Sequence, residues 1–416
     1  MIEHIEQMLL DGWVEQLATL QRMIQTPSIT GSEQAVQAVV AETLSTMGLE
    51  MDVWSPKLED VSNHPAFSDD GLPLGDRPVV VGIWRGTGGG KSLILNGHTD
   101  VVPVGDESLW PYPPWSGAIA DGKVYGRGSC DMKAGLVAAI YAVSALKKIG
   151  WQPRGDVLIQ SVIGEETGGV GTLATLTRGY RADAAIVLEP TELALVPVGS
   201  GALSFRLTVD GLAAHGGLRQ KGVSAIDLFL PLYQALQRLE TDRHRRLGHP
   251  LFPEGQLAAP LSVGMLTAGD WVSTVPEALV AMGRYGVFPG ESLSAARSEF
   301  ETAISVAASD HSWLKTHPPK VEWIEGQFES AQTNGDSDLV KVIANAHETV
   351  TGSEPKRTGV PWGSDMRFFT NHAGMPAVLY GAGDVQLAHT VKEFVPLDEM
   401  LILTRVLALT IYRWCD

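Results

Sequence analysis

Apolar residues at Ile5, Met8, Leu9, Trp13, Leu17, Leu20 and Ile24 recur at helical intervals, so residues 5–25 read as helix until TPSITGSEQ breaks the pattern. Ser32 and Gln34 open a second helical stretch that runs through AVQAVVAETLSTMG and stops at Gly48. VVVGIWRG and KSLILNGH are short, apolar, β-branched runs bounded by glycines and predict buried strands. MKAGLVAAIYAVSALKKIG predicts a long helix ended by lysines and Gly150, and DVLIQSVIG and DAAIVLEP predict two more core strands. Strands alternating with helices point to an α/β fold around a mixed or parallel sheet.

The middle of the chain has a different texture. GALSFRLTVDG and ALVAMGRYGVF alternate polar and apolar residues at period two, and SAIDLFLPLYQALQRLE and SLSAARSEFETAISVAAS read as helices. Alternating strands with two helices predict an α+β unit whose sheet has one face toward water. Its expected span is 202–326, interrupting an α/β domain formed by 1–201 and 327–416. No internal repeat or low-complexity tract is evident.

Composition then narrows the function classes. The chain has 416 residues, 31 Lys and Arg against 48 Asp and Glu, and a formal net charge of −17. That balance argues against a partner read through its phosphate backbone, since no basic excess exists to displace counterions. It leaves an anionic substrate open, because a local cluster of cations or a metal overrides net charge. Two cysteines, Cys130 and Cys415, make no disulfide framework and suit a reducing compartment. The opening MIEHIEQMLLDGW has early acids and no long apolar stretch, so the expectation is a cytoplasmic protein with no membrane partner. The glycine run RGTGGGKS is not a phosphate loop. Arg85 stands where the first glycine of that motif belongs, and a strand follows the lysine instead of a helix, so a hairpin turn is the expectation.

The chemistry gathers at strand ends. NGHTDVVP places His98 and Asp100 just past an apolar strand, and YGRGSCDMKAG places Asp131 in a glycine-rich loop before a helix. VIGEETGG ends another strand with Glu165 and Glu166, VLEPTE carries Glu189, and GDVQLAHTVKE offers His389 in a loop. Ligands of open α/β sheets bind beyond the carboxyl ends of such strands, where these residues could converge. Each alone is ordinary: a surface histidine, a solvated turn, a cap former. Together, two histidines and three carboxylates suit a borderline-to-hard cation such as zinc, and five ligands fit two metals that share a carboxylate.

In this arrangement the chain resembles the co-catalytic zinc amidohydrolases that include acetylornithine deacetylase, succinyl-diaminopimelate desuccinylase, aminoacylase and glutamate carboxypeptidase. The motifs run in order along essentially the whole chain: PSITGSE, GHTDVVP, YGRGSCDMKAG, GEETGG, EPT, GLAAHGG and AHTVKE. The resemblance implies a zinc-peptidase-like catalytic domain and an inserted dimerisation (lid) domain. It implies two Zn²⁺ per subunit, replaceable by Co²⁺, with Asp131 bridging them and a cis peptide often just after it. His98 and Glu189 would complete one site, and Glu166 and His389 the other. Glu165 would be the general base, and Asp100 would hold the free ring nitrogen of His98, as metal-bound histidines commonly require. His215 in GLAAHGG would reach the active site of the partner in a homodimer and stabilise the tetrahedral oxyanion; the bland reading is a turn histidine. Cys130, beside Asp131, reads as packing.

The implied reaction is hydrolysis of an N-acyl amide by metal-activated water, with Glu165 taking its proton and returning it to the leaving nitrogen. The substrate is less defined. Family members that bind an α-carboxylate commonly carry Asn and Arg where this chain has Ser273 and Gly286. Arg284, two residues earlier, and Arg367 in WGSDMRFF are the substitute anion-binding candidates, and an ion pair with Asp365 is the alternative role for Arg367. Glu at 189 resembles deacylases and carboxypeptidases more than aminopeptidases and dipeptidases. The first expectation is a deacylase of small acetyl-, formyl- or succinyl-amines; the alternatives are a metallocarboxypeptidase or dipeptidase, and a non-catalytic binding protein.

Overall fold

Strands buried on both faces form the floor of the first structural unit. In the computed structural model, which describes residues 2–324 and 326–416, the sheet runs from the partly exposed edge strand Glu50–Trp54 through Val79–Trp84, Val157–Val162, Leu93–His98, Ala184–Val187 and Ala377–Leu379 to Leu195–Gly199. The four from Val157–Val162 to Ala377–Leu379 are mutually parallel, and their neighbours on both sides are antiparallel to them. The sheet is therefore mixed, and the unbroken apolar runs of the sequence reflect strands covered on both faces. The unit comprises Met1–Pro197, Gln332–Thr358 and Ser364–Asp416.

The long helix Ala134–Lys148 is buried over its first thirteen residues and packs against the C-terminal helix Leu397–Trp414 and both N-terminal helices. Among the described residues, the segment Ser129–Lys148 alone is long and apolar enough to cross a membrane, and it lies inside this core. Near its start Gly135 has a structural reason: a Cβ there would stand 2.3 Å from the carbonyl oxygen of Leu188. Its absence lets the segment after Asp131 close on the strand end that leads to Glu189.

Two local expectations are corrected. The helical spacing over 5–25 belongs to two helices, Ile2–Asp11 and Trp13–Ile24, interrupted at Gly12. RGTGGGKS is not a hairpin turn, because Val79–Trp84 and Leu93–His98 do not pair with each other. Val157–Val162 lies between them, and the glycine loop passes over its start, where Gly86 donates its N–H to Asp156. Local sequence carries the reversal of direction but not the strand inserted from 70 residues away.

The second unit comprises Val198–Ala331 and Gly359–Gly363. The return of Gly359–Gly363 is marked by no hydropathy pattern. Its antiparallel sheet has the order Leu261–Ala268, Ala278–Val287, Gly201–Asp210, Lys320–Trp323. Helices Ala225–Arg246 and Leu293–Ser309, capped by Ser224 and Ser292, pack on one face over a core that includes Phe205, Leu207, Leu232, Leu279 and Phe300. The alternation in GALSFRLTVDG is thus a core face against a more exposed one.

Candidate active site

The carboxyl ends of the parallel strands gather the acidic residues. Leu93–His98 ends on His98, Val157–Val162 leads into the turn 163–169 that carries Glu165 and Glu166, and Ala184–Val187 leads to Glu189. Asp131 lies in the segment before helix Ala134–Lys148, and the peptide bond from Asp131 to Met132 is cis. His389 sits in the loop after Ala377–Leu379 at φ 61°, an uncommon backbone conformation for a side-chain-bearing residue.

Asp131 stands between the two histidines. Its Oδ1 is 3.1 Å from His98 Nε2, and its Oδ2 is 3.5 Å from His389 Nε2. His389 Nε2 also lies 2.9 Å from Glu166 Oε2. Ligand atoms of His98, Asp131 and Glu166 fall within 4.8 Å of one another, as do those of His98, Glu165 and Glu189. The structure brings all six of these sequence-predicted residues together.

Asp100 takes a different part from the one expected. The Nδ1 of His98 lies 2.9 Å from the backbone carbonyl of Asp100, while the carboxylate is 3.7 Å away. A carbonyl only accepts, so Nδ1 carries the proton and Nε2 keeps its lone pair for a cation when the ring is neutral. The Asp100 carboxylate instead accepts the backbone N–H groups of Glu165 at 3.1 Å and Glu166 at 3.2 Å, fixing the turn that bears both glutamates. Thr30 adds a hydroxyl donor at 3.1 Å.

Further supports of this turn escaped the sequence reading. Arg77, buried, makes a bidentate pair with buried Glu33 and reaches Asp70, whose carboxylate accepts the Thr167 hydroxyl at 2.9 Å. Glu33 lies 44 residues from Arg77, and Asp70 lies 97 from Thr167, so no local spacing could have signalled the set. Arg367 is corrected: it is 1 % exposed and donates to the carbonyls of Gly168 at 2.7 Å and Ser364 at 3.0 Å. It braces the far side of the same turn, with Asp365 at 3.9 Å, and is not offered as an open anion clamp.

The remaining candidates belong to the second unit. His215 is exposed and caps a short helical turn, its Nδ1 accepting the N–H of Gly217 at 3.1 Å. In the neutral ring that bond places the proton on Nε2, as a donor. Arg284 donates to the Pro361 carbonyl at 2.7 Å, and burial lowers its pKa. Ser273 is exposed. At Gly286 a Cβ would stand 2.4 Å from the carbonyl carbon of Ala259, so no side chain fits.

Charge defines what the strand-end cluster can hold. Burial and then Glu189 push Glu165 well above the usual carboxylate range, and burial and then Asp131 do the same to Glu189. Burial opposes charge on His98, but its hydrogen bond to the Asp131 carboxylate and the charges of Asp100, Asp131 and Glu189 prevail and raise its pKa well above the ordinary value. Asp131 and Glu166 lift His389 to about 10. Crowded oxygen donors and two imidazoles, with the Cys130 thiol turned to the Asp384 carbonyl, make a nitrogen–oxygen set that fits divalent cations. Residues 94–413 match the profile of Peptidase family M20/M25/M40. The chain belongs to that family.

Relatives match over nearly the full length of the chain. The chain is 30 % identical to the N-formyl-4-amino-5-aminomethyl-2-methylpyrimidine deformylase of Halalkalibacterium halodurans over 96 % of this chain and 94 % of that protein. It is 27 % identical to the deformylase of the same name from Bacillus subtilis, over 100 % of this chain and 96 % of that one. The fold matches an M20 family metallo-carboxypeptidase from Sulfolobus solfataricus with a TM-score of 0.76 at 18 % identity, covering 95 % of this chain and 98 % of that one.

Cation binding through His98 and His389 would displace protons. Ligating histidines are neutral, while His98 and His389 hold protons near neutrality in the cation-free protein. Zinc titration is therefore expected to release protons, and apparent affinity to climb with pH until His389 of the cation-free protein loses its proton, at about pH 10. Calorimetry in buffers of different ionisation enthalpy checks this; uptake without proton release would show that the two imidazoles are not ligands.

Proposed function

We propose that the chain is a dimetal amidohydrolase that removes a small acyl group, formyl first among them, from an aminomethylpyrimidine or a similar amine without a carboxylate. The observation that carries the reading is Asp131, with one carboxylate oxygen toward each histidine, as a ligand shared by two cations would require. His98 and Glu189 would hold one cation, Glu166 and His389 the other. Zinc or a similar divalent ion bound there would polarise the acyl carbonyl and supply a water that ionises near neutral pH.

The protein's own groups then do the proton work. Glu165 accepts a proton from the attacking water and delivers it to the leaving amine nitrogen as the C–N bond breaks, giving formate and free amine. Asp100, Asp70 and Arg367 hold its turn in register through Glu165 N–H, the Thr167 hydroxyl and the Gly168 carbonyl. His215 of a partner subunit, with its Nε2–H, is the proposed oxyanion donor. A homodimer is supported by the edge strand Leu261–Ala268, where Met265 and Leu266 are exposed, and by Trp271 and Val272 beside it.

Two observations favour a substrate without a carboxylate. The compound in both relatives' names carries amino, aminomethyl and methyl groups and no acid. Gly286 cannot give way to the arginine with which α-carboxylate-binding members are expected to grip their substrates. The test is release of formate from N-formyl-4-amino-5-aminomethyl-2-methylpyrimidine by zinc-loaded enzyme, run beside N-acetylornithine, N-succinyl-diaminopimelate and a dipeptide series. The formylpyrimidine is expected to give the highest kcat/KM. Preferential turnover of dipeptides would overturn the deacylase reading in favour of a peptidase.

A further inference from the structure

Glu393 lies four residues beyond His389 and is 1 % exposed. Its Oε1 accepts the backbone N–H of Cys130 at 3.0 Å and that of Asp131 at 3.2 Å. Its Oε2 accepts from Arg127 Nη1 at 2.5 Å. Arg127 is itself buried, donates Nη2 to the Pro103 carbonyl at 3.2 Å and lies 5.1 Å from the centre of the Trp110 ring. Behind the side chain, Gly126 donates its N–H to the Glu393 carbonyl, and Phe394–Pro396 pairs with Lys123–Tyr125. At the other end of the same loop, the Cys130 thiol meets the Asp384 carbonyl at 3.4 Å.

We propose that Glu393 is a positioning residue that locks the Asp131 segment to the His389 loop, so that the shared ligand and one histidine are placed as a single body. The inference rests on the dimetal reading. Asp131 and Met132 have non-helical backbone angles, so the helix that follows does not fix the Asp131 N–H; Glu393 does. A carboxylate that must face two cations tolerates little rotation, because a turn that favours one oxygen withdraws the other. Removing the carboxylate leaves the Cys130 and Asp131 N–H groups without this acceptor and Arg127 Nη1 without its ion-pair partner, which disfavours this arrangement of both loops.

Glu393→Gln keeps the side-chain size and one acceptor oxygen and loses the charge. In the cation-free protein, hydrogen exchange over 126–133 and 384–392 is expected to accelerate together, while the strand Val157–Val162 keeps its protection. Zinc affinity measured by chelator competition is expected to fall about 10- to 100-fold, with both zincs affected. Loosening of only one loop overturns the proposal, as does unchanged zinc affinity with a lowered Tm, which would mark a structural staple. Should Glu393→Gln fail to fold, Arg127→Lys removes only the outer arm and is expected to loosen both segments by less; no change in either overturns the lock. A wild-type protein that takes up no zinc would refute the dimetal reading, and the exchange result on cation-free protein decides the lock regardless.

Discussion

Glu165→Gln is expected to lower kcat by about 10²–10⁴-fold while zinc content stays at the wild-type value. The amide preserves the size of the side chain and leaves untouched the backbone N–H that Asp100 holds. It cannot accept a proton, so the loss falls on the chemical step. Glu166→Gln beside it should behave in the opposite way, losing zinc first, because that side chain faces His389. The contrast between neighbours is the discriminating result, measured by metal analysis and turnover on the same samples. Near-wild-type turnover in Glu165→Gln would remove the general base from the mechanism.

His215→Ala is expected to cost about 10²–10³-fold in kcat, the usual value of one oxyanion donor, with zinc unchanged. Whether the histidine serves its own chain or a partner is settled by mixing. Glu165→Gln and His215→Ala subunits, each nearly inactive, should form mixed dimers with one intact composite site, restoring roughly a quarter of wild-type activity on random exchange. No recovery after verified subunit exchange would place His215 in service of its own chain.

How far the sequence reaches depends on the range of the contact. The strand ends were legible because the apolar runs give way to His98, Glu165 and Glu189, which lie at the end of a buried strand or within three residues of it. The antiparallel strands Gly201–Asp210 and Ala278–Val287 were legible from their period-two alternation. The roles of Asp100 and Arg367 were not, because a carboxylate two residues from a histidine suggests a ring contact, whereas the fold uses the Asp100 carbonyl for the ring and the carboxylate for a turn 65 residues on. Arg367 reads as an open cation until the fold closes Gly168 and Ser364 around it. The hairpin at RGTGGGKS failed for the same reason, since strand Val157–Val162 enters from far along the chain. Glu393 lay in plain view within AHTVKE, but nothing local says that its partners are Cys130 and Asp131.

The tight approach of Ala259 to Gly286 also bears on how specificity can change in this lineage. Installing a guanidinium at 286 would drive its Cβ into main chain, which cannot rotate aside as a side chain can. The stretch around Ala259 must therefore retreat before the arginine arrives, and the two steps have a fixed order. A mutant library confined to position 286 would return glycine alone, whereas one that also shortens the segment before Pro260 opens a route to acid-bearing substrates.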